Sequence, residues 1–239
     1  MSQKNKALKQ NPQGTDATDL LTSSEAFIIK NKKALIIGVV ALLLIVLGLF
    51  GLRYYQNQRE DKAQTLLTQG LAYVQQQNFD KALNGDGAFP GFKKIADNYS
   101  FTDASNIAKL WTGICYAKTG DVKNAIAYLE KFSPKGDHTV SPAGLATLAN
   151  CYAENGQIDK AVKKFEEAAE LANNDATSPE YLIQAAELLQ SQNKDAEALK
   201  LYEKIKSDYP ASNYNGGIMT NDSIIQDGLI DAYIQSASK

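Results

Sequence analysis

The chain has 239 residues with 25 lysines and arginines against 27 acids, one histidine and two cysteines. A formal charge of −2 argues against a nucleic-acid binder, and two cysteines are too few for a disulfide framework. One histidine leaves little room for a metal site built on imidazoles.

The first 22 residues are polar, with Pro12 and Gly14, and are expected to be a disordered tail. Thr22-Ser23-Ser24-Glu25 reads as a capping box that opens a short juxtamembrane helix over residues 23–33. Phe27, Ile28 and Ile29 then lie in the headgroup region while Lys30, Lys32 and Lys33 meet anionic lipid, or the segment simply extends the helix that follows.

From Ala34 to Leu52 every residue is apolar or glycine. Nineteen residues at about 1.5 Å each give roughly 30 Å of helix, the thickness of a bilayer's hydrocarbon core. The predicted transmembrane segment is 34–53. A cleaved signal peptide expects an apolar stretch of about 7–15 residues followed by a small-residue cleavage site. Here the run is longer and ends in Phe50-Gly51-Leu52-Arg53-Tyr54-Tyr55, so it is expected to stay as an anchor. The 33 residues before it hold six lysines and three acids, a net of +3 that leaves −5 for the rest of the chain. The positive-inside rule therefore predicts a cytoplasmic N-terminus and an outer C-terminal domain, with Arg53, Tyr54 and Tyr55 at the outer interface.

Residues 54–239 suffice for one domain, and their text repeats. Gly113, Tyr116, Gly120, Ala125, Leu129 and Phe132 form a series whose intervals recur at Ala149, Tyr152, Gly156, Ala161, Phe165 and Ala168. They recur again at Ala186, Leu189, Asn193, Ala198, Tyr202 and Ile205. The spacing implies a helical hairpin: small residues where two helices approach, and Gly120, Gly156 and Asn193 at a turn that needs a left-handed backbone. One hairpin cannot bury its own apolar face, so such pairs stack into a solenoid.

An imperfect copy comes first, with Gly70, Tyr73, Gln77 and Ala82 at the expected intervals. Asn84 to Gly91 is a cluster of helix breakers, and the pattern resumes with Phe92, Ile95 and Tyr99, so a loop is predicted within that second helix. At the far end Ile224, Ile225, Leu229, Tyr233 and Ile234 suit a terminal capping helix. The fold class is thus an all-α helical-repeat solenoid, with three clear repeats, one interrupted repeat and a cap, behind one transmembrane helix.

These intervals resemble the tetratricopeptide repeat. The family's tryptophan is displaced, since Trp111 stands two residues after the matching site, Lys109, which Leu145 and Leu182 fill in the other copies. Nothing reads as catalytic: His138 sits in the polar loop from Ser133, without a second metal ligand at metal spacing, and there is no phosphate loop or nucleophile elbow. No cofactor, small-molecule substrate or nucleic acid is expected. Cys115 and Cys151 occupy equivalent places on neighbouring helices about 8–10 Å apart, too far for a disulfide, and are predicted to be buried free thiols.

The first helices of the repeats should form a concave groove. Projection places Leu71, Val74, Leu110, Ile114, Ala117, Ala146, Asn150, Ile183 and Glu187 on it. That surface suits an extended segment or an amphipathic helix, or else it packs on the chain's own terminal helix and loops. Asp222-Ser223-Ile224 matches either a periplasmic glycosylation tripeptide or a helix N-cap.

The order of parts, with Phe27-Ile28-Ile29-Lys30-Asn31-Lys32-Lys33 before the anchor and Ala82-Leu83-Asn84-Gly85-Asp86 in the broken hairpin, resembles the YfgM-like tetratricopeptide proteins of Gram-negative bacteria, in their Bacteroidetes form. That resemblance implies an inner-membrane protein with a periplasmic C-terminal domain. It further implies an accessory of the Sec translocon that acts with a PpiD-type chaperone. A structural scaffold for another envelope machine, such as secretion, gliding or division, is the alternative.

Overall fold

The computed structural model describes residues 27–215, 217–220 and 223–238. The expected tail over residues 1–22, the capping box at residues 22–25 and the cap at Asp222 lie outside them.

The chain divides into two units, one ending at Tyr55 and the other running from Gln56. In the first, residues 27–30 are helical and helix α1 (Lys32–Gln75) begins, its residues from Gln56 counting with the second. Backbone bonds from Asn31 N–H to Phe27 and from Leu35 N–H to Asn31, 3.0 Å each, carry the helical ladder across the junction. Every large apolar side chain from Leu35 to Leu52 is exposed, as are Phe27, Ile28 and Ile29. By length and composition α1 could cross a membrane.

The second unit is built from hairpins. The end of α1 pairs with the broken pair α2 (Phe79–Asn84) and α3 (Phe92–Asn98). Then come α4 (Asp103–Lys118) with α5 (Val122–Leu129), α6 (Val140–Glu154) with α7 (Ile158–Ala172), and α8 (Ser178–Ser191) with α9 (Asp195–Asp208). The break within the first hairpin falls where the Asn84 to Gly91 cluster predicts it.

Each hairpin turns by the same device. Gln77, Gly120, Gly156 and Asn193 all have positive φ, at 55°, 81°, 74° and 58°. In each case the next residue's N–H reaches back to the carbonyl five positions earlier: Asn78 to Tyr73, Asp121 to Tyr116, Gln157 to Tyr152 and Lys194 to Leu189, at 2.8–3.0 Å. This doubly bonded left-handed termination satisfies carbonyls that the helix end leaves open. Asn78 and Asp121 then cap the following helices, accepting from Lys81 N–H and Asn124 N–H.

Close approach within the hairpins follows from small residues. A Cβ on Gly113 would stand 2.4 Å from Leu129 Cγ, so only glycine admits α5 at that distance. Between hairpins, Ser105 Oγ donates to the Ala96 carbonyl and Ser178 Oγ to the Ala169 carbonyl, both at 2.8 Å. Trp111 turns toward the first hairpin and stacks on Phe92, with ring centroids 6.3 Å apart, which accounts for its displaced position.

Among the described residues the buried side chains form three cores, one under each junction of neighbouring hairpins. Cys115 and Cys151 are buried free thiols, and burial pushes the Cys115 thiol up to about 12.

The C-terminal end departs from expectation. Ile224 and Ile225 lie in strand β2 (Ser223–Gly228), antiparallel to β1 (Gly217–Thr220), and the capping helix α10 (Leu229–Ala237) starts only after them. Paired β-branched residues favour an extended strand, and Gly228 stands at the N-cap of α10, so Ser223 does not cap it.

Candidate partner-binding groove

The predicted groove residues separate into two rows. Leu110, Ala146 and Ile183 are equivalent in the three repeats and are 3%, 7% and 5% exposed, so they belong to the cores between hairpins. Ile114, Asn150 and Glu187, one helical turn further on, face outward: Ile114 is half-buried, and Asn150 and Glu187 are exposed. Leu71, Val74 and Ala117 are also half-buried. Of the expected row, Leu110, Ala146 and Ile183 thus turn into the cores, while Ile114, Asn150 and Glu187 turn toward the surface.

A cleft of about 300 Å³ opens between α6 and α8. Asn150 and Ala153 line it from α6, Gln184, Glu187 and Leu188 from α8, and Phe165 of α7 also borders it. Of these, only Asn150 and Glu187 were expected from the sequence. Gln184 follows the buried Ile183 and Leu188 follows Glu187, so a helical-wheel count anchored on the small residue Ala186 would have found them. Ile114, Ala117, Ala153 and Leu188 all pack against the middle core, giving this face an apolar base.

The chain's own cap packs near α8, beside the cleft's far wall. Burial raises the Tyr233 hydroxyl above its ordinary value, and the negative charge of the Glu187 carboxylate adds to the rise. Gln190 receives the Tyr202 hydroxyl at 2.9 Å and extends its amide toward Ser236 of α10.

A second hollow, of about 560 Å³, arises from the broken hairpin. Gln69, Ala72, Tyr73 and Gln76 of α1 face Asp86, Ala88 and Phe89 of the loop. The Tyr73 hydroxyl donates to Asp86, whose other oxygen accepts from Ala88 and Phe89 N–H at 3.1 and 2.9 Å. That bond raises the Tyr73 hydroxyl and holds the Asp86 carboxyl below the usual carboxylate range. The breakers Asn84 to Gly91 are thus a fastened loop whose carboxylate is already satisfied.

His138 donates or accepts through Nδ1 at the Leu171 carbonyl, 2.8 Å away, while remaining exposed. It ties its loop to the end of α7. Among the described residues, no three His, Cys, Asp or Glu gather as metal ligands. Lys30, Lys32, Lys33, Arg53, Tyr54 and Tyr55 are all exposed along the first unit.

Stacked hairpins with a shared left-handed turn and a recurring small-residue contact match one family across residues 25–204, described as a tetratricopeptide repeat-like domain. The chain belongs to that family. Crystal structures of nearly identical TPR-like repeats from Podosopora anserina are similar to it in fold, one at 14% identity and TM-score 0.53 over 74% of this chain and 86% of the other. A second, of a variant, aligns at 15% identity and TM-score 0.51 over 75% and 91%. No curated protein matches the sequence. A TPR-like domain suggests a protein–protein interaction module, and the fold is typically a non-enzymatic scaffold.

Proposed function

We propose that this TPR-like protein is a membrane-tethered interaction module that holds a protein segment on its first-helix face. The observation that carries this is the cleft between α6 and α8, where exposed Asn150 offers an amide beside the apolar Ala153 and Leu188. The half-buried Leu71, Val74, Ile114 and Ala117 continue the same face along the repeats. An amide among apolar contacts suits the backbone of an extended segment or one polar position of an amphipathic helix.

The apolar run of α1 and the charge bias across it support a single span, with the N-terminus in the cytoplasm and the repeats in the periplasm. On the resemblance to the YfgM-like proteins, the partners are the Sec translocon and a PpiD-type chaperone.

A photo-crosslinking side chain at Asn150, in intact cells, tests this reading. Adducts with translocon subunits or a PpiD-type chaperone, lost when residues 34–53 are replaced by a soluble linker, are the expected result. Adducts confined to components of a secretion, gliding or division machine would reject the translocon and favour the scaffold alternative.

A further inference from the structure

Among the described residues of the repeat domain Phe101 is the most exposed large apolar one, at 93%, and its backbone is left-handed, with φ 68°. A bulky residue rarely adopts that conformation. Repeat packing does not require the ring. In the register that equates Phe92, Ile95 and Tyr99 with Tyr202, Ile205 and Tyr209, Phe101 corresponds to Ala211.

The loop that carries it is held firmly. Thr102 Oγ1 donates to the Tyr99 carbonyl at 2.6 Å and accepts from Ser105 N–H at 3.0 Å. Glu60 accepts from Asp103 N–H at 2.7 Å and Ala104 N–H at 3.0 Å, so a residue of α1 caps α4. Arg59 donates to the Asn98 carbonyl and lies 5.8 Å from the Tyr99 ring centre. The segment that fixes both sides of Phe101 therefore consists of residues seven and eight positions after Leu52, the end of the apolar run. Whatever path the chain takes, the eight residues from Leu52 to Glu60 span under about 30 Å, so the loop that Glu60 caps is tethered by a short leash to the end of that run.

We propose that Phe101 is a lipid contact: its ring seats in the headgroup region of the membrane from which the repeat domain emerges. This rests on the reading of α1 as a span. A strained, unpacked aromatic leashed to the end of that run fits a lipid surface, where aromatic side chains gather at the interface. Arg59 and Glu60 set the loop, and Phe101 makes the contact.

The test uses the full chain in phosphatidylcholine–phosphatidylglycerol vesicles. Trp111 is the single tryptophan, so W111F with F101W moves the only indole to the loop. Flotation with the vesicles reports on the span, and quenching by lipids brominated near the headgroups reports on the loop. The expected result is a blue-shifted emission that loses most of its intensity to the shallow bromolipid. A control indole at the exposed Ala127, in the same W111F background, should remain unquenched.

Protein that floats with an unquenched, water-like emission overturns the inference and leaves the span intact. Failure to float overturns both. A blue shift without quenching assigns the ring to a protein surface and also overturns it, as does equal quenching of the control. Should W111F disturb folding, a nitroxide on F101C in the otherwise native chain gives the same depth readout, because Cys115 and Cys151 are buried.

Discussion

The contact between Gly113 and Leu129 makes a prediction with an unusual sign. A Cβ at Gly113 would lie 2.4 Å from Leu129 Cγ, 2.8 Å from Cδ2 and 3.2 Å from the Ala125 carbonyl oxygen. Carbon atoms rest at about 3.5–4.0 Å, so a buried leucine would have to yield by roughly 1 Å. Such overpacking costs about 1–3 kcal/mol, and the better helix propensity of alanine offsets about 1 kcal/mol of it. G113A alone should therefore destabilise by about 0–2 kcal/mol, and L129A alone by about 2–5 kcal/mol. In the L129A background both colliding atoms are gone, so G113A should become neutral or stabilising by up to about 1 kcal/mol. The assay is urea unfolding of the detergent-solubilised full chain, followed by the fluorescence of Trp111, two residues from the mutated site. Additivity of the two changes within about 0.5 kcal/mol would refute the close approach of α4 and α5.

Glu60→Ala should expose the first turn of α4, costing about 1 kcal/mol as the loss of a helix cap, with faster hydrogen exchange at Asp103 and Ala104 as the local sign. Asp137 is held down to about 2 by the Ser141 hydroxyl and by the backbone N–H groups of Ser141, Thr139 and Val140. Because its folded value lies below the ordinary 3.8, its contribution is complete above about pH 4 and is lost as pH falls toward 2. Exchange at Val140 and Ser141 should rise across that window in the native chain, and D137N should remove the pH dependence. Cys115 and Cys151 should resist maleimide at pH 8 in the folded chain and react fully in urea, since burial raises both thiols; fast labelling of the folded chain would contradict the helix register.

The parts of the fold legible in the sequence were those written by steric necessity. A left-handed turn accepts few residues, and a close helix contact accepts only small ones, so Gly120, Gly156, Asn193 and the Ala125, Ala161 and Ala198 row announced the hairpins. The outward surface carries no such constraint. Leu110 and Ile114 are both aliphatic and one turn apart, yet the first is in a core and the second at the surface, because the direction of the neighbouring hairpin decides which is covered. Ile224 and Ile225 were misread as helix for a related reason. A short apolar run has the same composition in either state, and here it pairs antiparallel with the adjacent strand β1. The roles of Glu60 and Arg59 were invisible because they act across some forty residues of sequence.

The three cores share few side chains. Ile107 and Tyr116 touch both the first and the middle, and Leu188 touches both the middle and the last. Each core joins the two hairpins it lies between and reaches little beyond them, so the coupling runs from neighbour to neighbour and disruption should spread from an end of the row. Pulled by its C-terminal end, it would pay out in steps, α10 and the last hairpin yielding before the first hairpin is disturbed. A protein built this way behaves less like a rigid hook than like a compliant strap, able to lengthen under load and recoil with most of its repeats still folded.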